Sequence, residues 1–417
     1  MRILSLASNV EEKILAARHY RDAAAESVAS RIVGDVRRRG DAALFAWTRR
    51  LDGIRLTPRK LWVKARERHA AARAVPKDLR AALEHAARNI RRVAEAQRPR
   101  SWSMAVEPGV RVSQRVGAID TIGCYIPGGR FSLISTLLMT AIPAQVAGVR
   151  RIVVGCPRPN AALLVAAEML GLEEIAHIGG AQAIAALAYG TRSVPRVEKI
   201  FGPGNRFVTA AKRVVSADCA IDLLAGPTEL LIIAANGNAS YIAADLIAQA
   251  EHDPDAIALL VTTSRKFAAG VRDAVADQLA RLPDTNPAKR SLAEKGAILI
   301  APDSSAAVRF ANRFAPEHLS IPGAQAPLAD KLNAAGSVFL GPWSAQSIGD
   351  YASGTNHVLP TSGGARTRGG LSTWDFVRCI SVQQVSAAGL RSLGPVVAAL
   401  ADAEGLVAHR RAVEVRQ

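Results

Sequence analysis

The stretch Ile122-Gly-Cys-Tyr-Ile-Pro-Gly-Gly129 reads as a short apolar strand running into a glycine turn, and an uncharged, Ala- and Leu-rich segment follows it. The same unit recurs along the chain. Strands are predicted over residues 122–126, 151–156, 174–178, 199–202 and 221–224, and a second set near 230–234, 258–262, 297–300 and 337–340. Strands alternating with helices predict an α/β protein whose parallel sheets carry helices on their faces, here two such units. Residues 131–149 lack charge, but Ser132, Ser135, Thr136, Pro143, Gln145 and Gly148 interrupt them, which suits a buried helix better than a bilayer span.

Outward from this centre the pattern changes. Residues 10–98 read as helical, with Val28, Ile32, Val33 and Val36 on one side of a first long helix, Leu44, Phe45 and Trp47 in the next, and a further helix over 77–93. This layer carries no motif with chemistry in it. Beyond about Leu371 the chain reads as a small helical tail with a late acidic and histidine cluster. A chain of 417 residues exceeds what one core organises and suits several domains.

Composition narrows the function. The net charge is +17, but apart from Arg37-Arg38-Arg39 and Arg410-Arg411 the basic residues are dispersed, and aromatics are only 5%. No base-stacking array accompanies the charge, so a solvated basic surface is expected rather than a nucleic-acid site, and attraction of small anions is compatible with it. Cys124, Cys156, Cys219 and Cys379 form no Cys-x-x-Cys pair, which argues against a disulfide framework or a zinc ribbon. The N-terminus soon meets Glu11, Glu12 and Lys13, unlike a secretory signal, and a cytoplasmic protein is expected.

Three glycine turns follow predicted strands: Tyr125-Ile-Pro-Gly-Gly129, Gly179-Gly-Ala-Gln182 and Gly202-Pro-Gly-Asn205. Backbone N–H groups at such turns can hold the phosphates of a dinucleotide, although glycine is also what any tight turn requires. The stretch from Asp245 to Asp255 ends a helix that Asn238 or Ser240 can cap and Pro254 stops, which puts Gln249 and His252 on one face of its last turn. An amide oxygen and an imidazole there can ligate a divalent cation, or form a polar helix end in solvent. Ala315-Pro-Glu-His-Leu319 sets a carboxylate beside an imidazole, a pair suited to proton chemistry and equally to a surface turn. Asp350, His357 and His409 fall in polar, turn-bounded stretches, whereas His19, His69 and His85 lie among charges and His177 in an apolar strand.

Together with Asn356-His-Val-Leu-Pro360, these motifs resemble histidinol dehydrogenases, zinc-dependent enzymes that complete histidine biosynthesis, over about residues 25–413. The resemblance implies two Rossmann-like parallel-sheet domains: a helical region 1–115 packing on the second of them, an NAD-binding domain 116–226, a domain 227–370 with the zinc and acid/base residues, and a helical tail 371–417. It implies zinc held by Gln249, His252, Asp350 and His409, the last reaching the partner subunit's site in a homodimer. It further implies acid/base roles for Glu317 and His318, NAD contacts from Tyr125, Gln182 and Asn205, and contacts to L-histidinol from Thr228, His357 and Glu404. Two stretches depart from the family pattern: Thr228 replaces a usual serine, and Arg130-Phe131-Ser132 replaces small residues. A similar arginine-aromatic pair occurs in relatives that oxidise other small alcohols such as sulfonated diols. That reading is kept beside the first, as is a non-catalytic basic binding protein with the same fold.

Overall fold

The computed structural model describes the chain except residues 19–21, 129–132 and 324–325 and the side chain at 326; His19, Gly129, Arg130, Phe131 and Ser132 therefore lie outside the described residues. In chain order, β1 (Arg2–Ser5) precedes a helical stretch, and β2 (Trp102–Glu107) and β3 (Val110–Ala118) follow it. Next come β4 (Thr121–Tyr125), β5 (Arg151–Gly155), β6 (Ile175–Ala176), β7 (Lys199–Phe201) and β8 (Ala220–Ile221). The second set is β9 (Glu229–Ile233), β10 (Ile257–Thr262), β11 (Ala297–Ile300), β12 (His318–Ile321) and β13 (Ser337–Leu340), with β14 (Val377–Val385) near the end.

Two sheets are parallel throughout, one ordered β6-β5-β4-β7-β8 and the other β1-β11-β10-β9-β12-β13. Their strands are near-continuous apolar runs such as Leu230-Leu-Ile-Ile233, because both faces are buried under helices. Each sheet has its own pair of cores, one per face. The uncharged segment after β4 forms the helix Ile134–Ala147, buried along most of its length. Among the described residues no helix is long and apolar enough to cross a membrane.

Three expectations are corrected. The N-terminal helices pack mainly on the first sheet's domain: Ala23–Arg39 lies against Gly180–Tyr189 and Arg206–Val215, and Lys77–Ala96 against Ile134–Ala147. The reason is that Gly180–Tyr189 is apolar around most of its circumference and needs an outer layer, which Ala25, Ala29, Ile32, Val33 and Val36 supply. β1 and the helix Ser8–Ala16 join the second domain, β1 pairing with β11. The tail is not helical from its start, since β14 pairs antiparallel along β3 to give a sheet β14-β3-β2. Apolar residues fall on both faces of β14, so its alternation marks no buried side. Finally, β12 was not expected as a strand, and it starts at His318.

Candidate active site

The chain passes from β8 through residues 222–228 into β9, so the end of one sheet leads directly to the beginning of the other. A cleft of about 580 Å³ lies along this passage, lined by Gly204, Asn205 and Phe207 before the crossing and by Thr228, His252 and Asp253 after it. Gly226 donates its N–H to Thr361 Oγ1 at 2.6 Å, which ties the crossing to the loop after His357.

Thr228 and Glu229 stand at the beginning of β9, and Glu317 and His318 at the beginning of the neighbouring β12, where His318 aligns with Leu230. Glu317 Oε2 accepts from the Thr228 hydroxyl at 2.5 Å and from the Glu229 N–H at 2.8 Å. Thr228 Oγ1 in turn accepts from Gln249 Nε2. This relay uses one N–H of the amide, and Oε1 at the amide's other corner is buried and, among the described residues, without a hydrogen-bond partner.

Nδ1 of His318 lies 3.1 Å from the Glu229 carbonyl oxygen. A carbonyl only accepts, so Nδ1 carries a proton, and Nε2 is bare only in the neutral form of the ring. Nε2 is buried without a hydrogen-bond partner among the described residues, 3.5 Å from Asp350 Oδ1, and the Phe339 ring stacks on the imidazole at 6.0 Å between centroids. Burial alone would push His318 down, but the Glu317 and Asp350 carboxylates outweigh it and raise it to about 10. Burial also opposes the charge on Asp350, yet the facing His318, with His357 and His252 nearby, holds that carboxyl below its ordinary value. His357 donates from Nδ1 to the Asp350 carbonyl at 2.9 Å while its Nε2 lies 3.4 Å from Thr136 Oγ1, and burial keeps it below the usual histidine range despite Asp350.

Gln249 sits in the last turn of the helix Ala239–Ala250, which Asn238 rather than Ser240 caps by accepting from the Ser240 N–H. His252 lies just past the helix end rather than within its last turn, exposed, with Nδ1 3.0 Å from the Ala248 carbonyl. Ala315-Pro-Glu-His-Leu319 is no surface turn: Glu317 and His318 are only 6% and 4% exposed.

The expected cofactor residues are placed differently from one another. Asn205 lines the cleft and caps the helix Arg206–Val215, accepting from the N–H groups of Phe207 and Val208. Tyr125 and Gln182 are buried together beside Gly180, whose N–H donates to the Tyr125 hydroxyl at 3.2 Å. Gln182 Nε2 donates to Asp52 at 2.8 Å, and its Oε1 has no partner among the described residues. Burial pushes the Tyr125 phenol up to about 12.

Glu404 and His409 are exposed on the tail, and among the described residues no hydrogen bond or ion pair joins either to the cluster around His318. Nor do three His, Cys, Asp or Glu side chains gather to hold a metal among those residues. One chain thus brings together Gln249, Asp350, Thr228, Glu317, His318 and His357, and leaves His409 and Glu404 apart. The sequence reading overlooked Glu229, whose signal was a carboxylate heading an otherwise apolar strand. It also overlooked Arg18, Thr136 and Asp52, which carry no local signal.

Known proteins resemble the chain along nearly its whole length. The histidinol dehydrogenase family matches residues 16–417. A histidinol dehydrogenase of Vibrio vulnificus is 46% identical, covering 92% of this chain and 90% of its own. Another, from Methanosarcina barkeri, is 42% identical over 100% of this chain and 98% of its own. The crystal structure of histidinol dehydrogenase from Elizabethkingia anophelis superposes with a TM-score of 0.94 at 36% identity, covering 100% of this chain and 97% of that one. On these matches the chain belongs to the histidinol dehydrogenase family.

Proposed function

We propose that the protein oxidises L-histidinol through L-histidinaldehyde to L-histidine, using two NAD and one zinc ion, in a homodimer whose sites draw on both chains. The observation that carries this reading is the relay from Gln249 through Thr228 to Glu317. Among the described residues Gln249 Oε1 and His318 Nε2 are both buried without a hydrogen-bond partner, the latter 3.5 Å from Asp350 Oδ1. An orphaned amide oxygen fits a cation, and the orphaned nitrogen of a neutral imidazole fits a substrate hydroxyl.

Gln249, His252 and Asp350 would hold the zinc, an oxygen, nitrogen and oxygen set of the kind such a borderline ion accepts, with His409 of the partner subunit as fourth ligand. When bound, the ion takes up the charge of Asp350 and orients the imidazole and amine nitrogens of histidinol. In its neutral form His318 takes the proton of the carbinol hydroxyl on Nε2 as a hydride leaves carbon; NAD supplies the acceptor in each of the two oxidations. Since Thr228 and Glu229 hold Oε2 of Glu317, its Oε1 is left to take a proton from water adding to the aldehyde. Retaining the aldehyde between the steps protects it from side reactions. His357 and Glu404 of the partner subunit would bind the substrate, the latter by a charge-assisted hydrogen bond to its ammonium.

The shared site has support in the tail. Ile380, Val382, Val396, Leu400 and Val407 are exposed on it, an apolar surface suited to burial against a second copy.

The test separates the half-reactions. Glu317→Gln should impair oxidation of histidinaldehyde far more than oxidation of histidinol, whereas His318→Asn should lower both by on the order of 10²- to 10⁴-fold. Equal losses in the two steps for Glu317→Gln would refute its role. Assaying wild type against a panel of small alcohols decides whether the Thr228 methyl marks a relative with another substrate.

A further inference from the structure

We propose that Arg18 and Glu229 form a positioning pair that sets the geometry of Glu317 and His318; the inference rests on those two residues being the acid/base pair. Arg18, only 5% exposed, donates from Nε and Nη2 to the two carboxylate oxygens of Glu229 at 2.7 and 2.5 Å. Nη1 donates to the carbonyl of Phe314 and Nη2 also reaches that of Ala315 at 3.4 Å, and Cζ lies 3.7 Å from the Phe314 ring centroid. The planar fork of arginine can bind a carboxylate and two carbonyls at once, which a lysine ammonium cannot.

What Arg18 joins is significant because of what lies next to each contact. The backbone of Glu229 supplies the N–H that holds Glu317 and the carbonyl that orients His318. Ala315 is the residue before Pro316-Glu317-His318, at the end of the helix Ser304–Phe314, and its φ is +46°. Glu229 Oε1 also accepts from the N–H of Ser362, whose φ is +53°. Ala315 and Ser362 are the only non-glycine residues with positive φ among the described residues, and this one ion pair contacts both. Such conformations persist only where the surroundings over-determine them, and they cluster where function needs a fixed geometry. The Arg18–Glu229 pair therefore fastens the two strained turns that flank the proton-transfer residues, acting on the reaction through them and touching no substrate itself.

The experiment compares three variants of the full, zinc-loaded enzyme with wild type, reading kcat and KM for histidinol, zinc content and melting temperature. Arg18→Lys keeps the buried charge balanced, so it should fold and hold zinc as wild type does, with KM unmoved and kcat reduced about 100-fold, the loss expected for a small misplacement of reacting groups. In the double variant Arg18→Met with Glu229→Met, the charges vanish together and stability should return toward wild type while kcat stays low. A wild-type kcat in Arg18→Lys, or a kcat that recovers along with stability in the double variant, shows a merely structural role and overturns the proposal. Glu317→Gln run alongside keeps the two ideas apart. If it loses aldehyde oxidation while Arg18→Lys keeps the wild-type kcat, only the positioning pair falls; if it keeps the wild-type rate, the acid/base reading beneath falls first.

Discussion

The two parallel sheets meet the cleft by opposite ends. The first presents the ends of its strands, where β7 runs into Gly202-Pro-Gly-Asn205, the usual ligand edge of an open α/β sheet. The second presents the beginnings of its strands, with Thr228 and Glu229 leading into β9 and Glu317 and His318 into β12. The difference matters for chemistry. Loops past a strand offer backbone N–H groups and room for a long ligand, whereas side chains at the start of buried strands are held by sheet pairing and by each other. One edge is suited to binding and the other to proton transfer.

On the proposed reading the second edge is also incomplete within one chain, because His409, the fourth ligand proposed, stands apart from Gln249, His252 and Asp350. The largest effect we expect tests this. Protein carrying only His409→Ala and protein carrying only His252→Ala should each be nearly inactive. Unfolding and refolding an equimolar mixture should then recover roughly a quarter of wild-type activity, by random assortment of sites shared across a two-fold dimer. No recovery, with dimers shown to have formed, would place His409 in its own chain's site or outside any site, and the contrast between the edges would shrink.

The first edge should fail differently. Lys212 Nζ donates to the Gly202 carbonyl at 3.0 Å and pairs with Asp222, whose Oδ2 accepts from the Gly202 N–H at 2.8 Å. The pair is almost fully buried, its side chains 3% and 1% exposed. It fixes a turn in which Gly202 has φ +114° and a Cβ would collide with the Tyr125 carbonyl. Lys212→Met strands the Asp222 carboxylate and should cost about 3–5 kcal/mol of stability. It should also raise KM for NAD while zinc content and kcat at saturating NAD hold. An unmoved KM for NAD would mean that this turn does not serve the cofactor.

The same contrast explains what the sequence made legible. The parallel sheets were readable because strands buried on both faces are unbroken apolar runs, and the glycine turns because positive φ or close approach demands that residue. Glu317 and His318 were found as a motif, but their strand was not, because polar residues at the start of a buried strand look like a turn. Gln249 was found by its helix end; its orientation depends on Thr228, far away in sequence, and no local pattern reports that. Arg18 was out of reach for the same reason, since its partners Glu229 and Phe314 lie at sequence separations of 211 and 296. The outer layer formed by Ala23–Arg39 showed its apolar stripe plainly, but a stripe does not say which sheet it covers.

The smallest effect bears on Asn205, which caps a helix and, on the proposed reading, also contacts NAD. Its side-chain oxygen accepts from the N–H groups of Phe207 and Val208, at 3.0 and 3.2 Å, and so caps a helix; its position on the cleft wall also suits a contact to NAD. Replacing a capping residue by alanine costs typically about 1 kcal/mol, whereas serine, itself a good cap, should cost little. Stability therefore separates Asn205→Ala from Asn205→Ser. Cofactor binding should not separate them, because both lose the amide N–H₂ that only asparagine offers at this position. We expect KM for NAD to rise by a similar small factor in the two variants while melting temperature falls only in the first. A KM that follows melting temperature would reduce Asn205 to a cap, and the first edge would then bind its ligand through backbone alone.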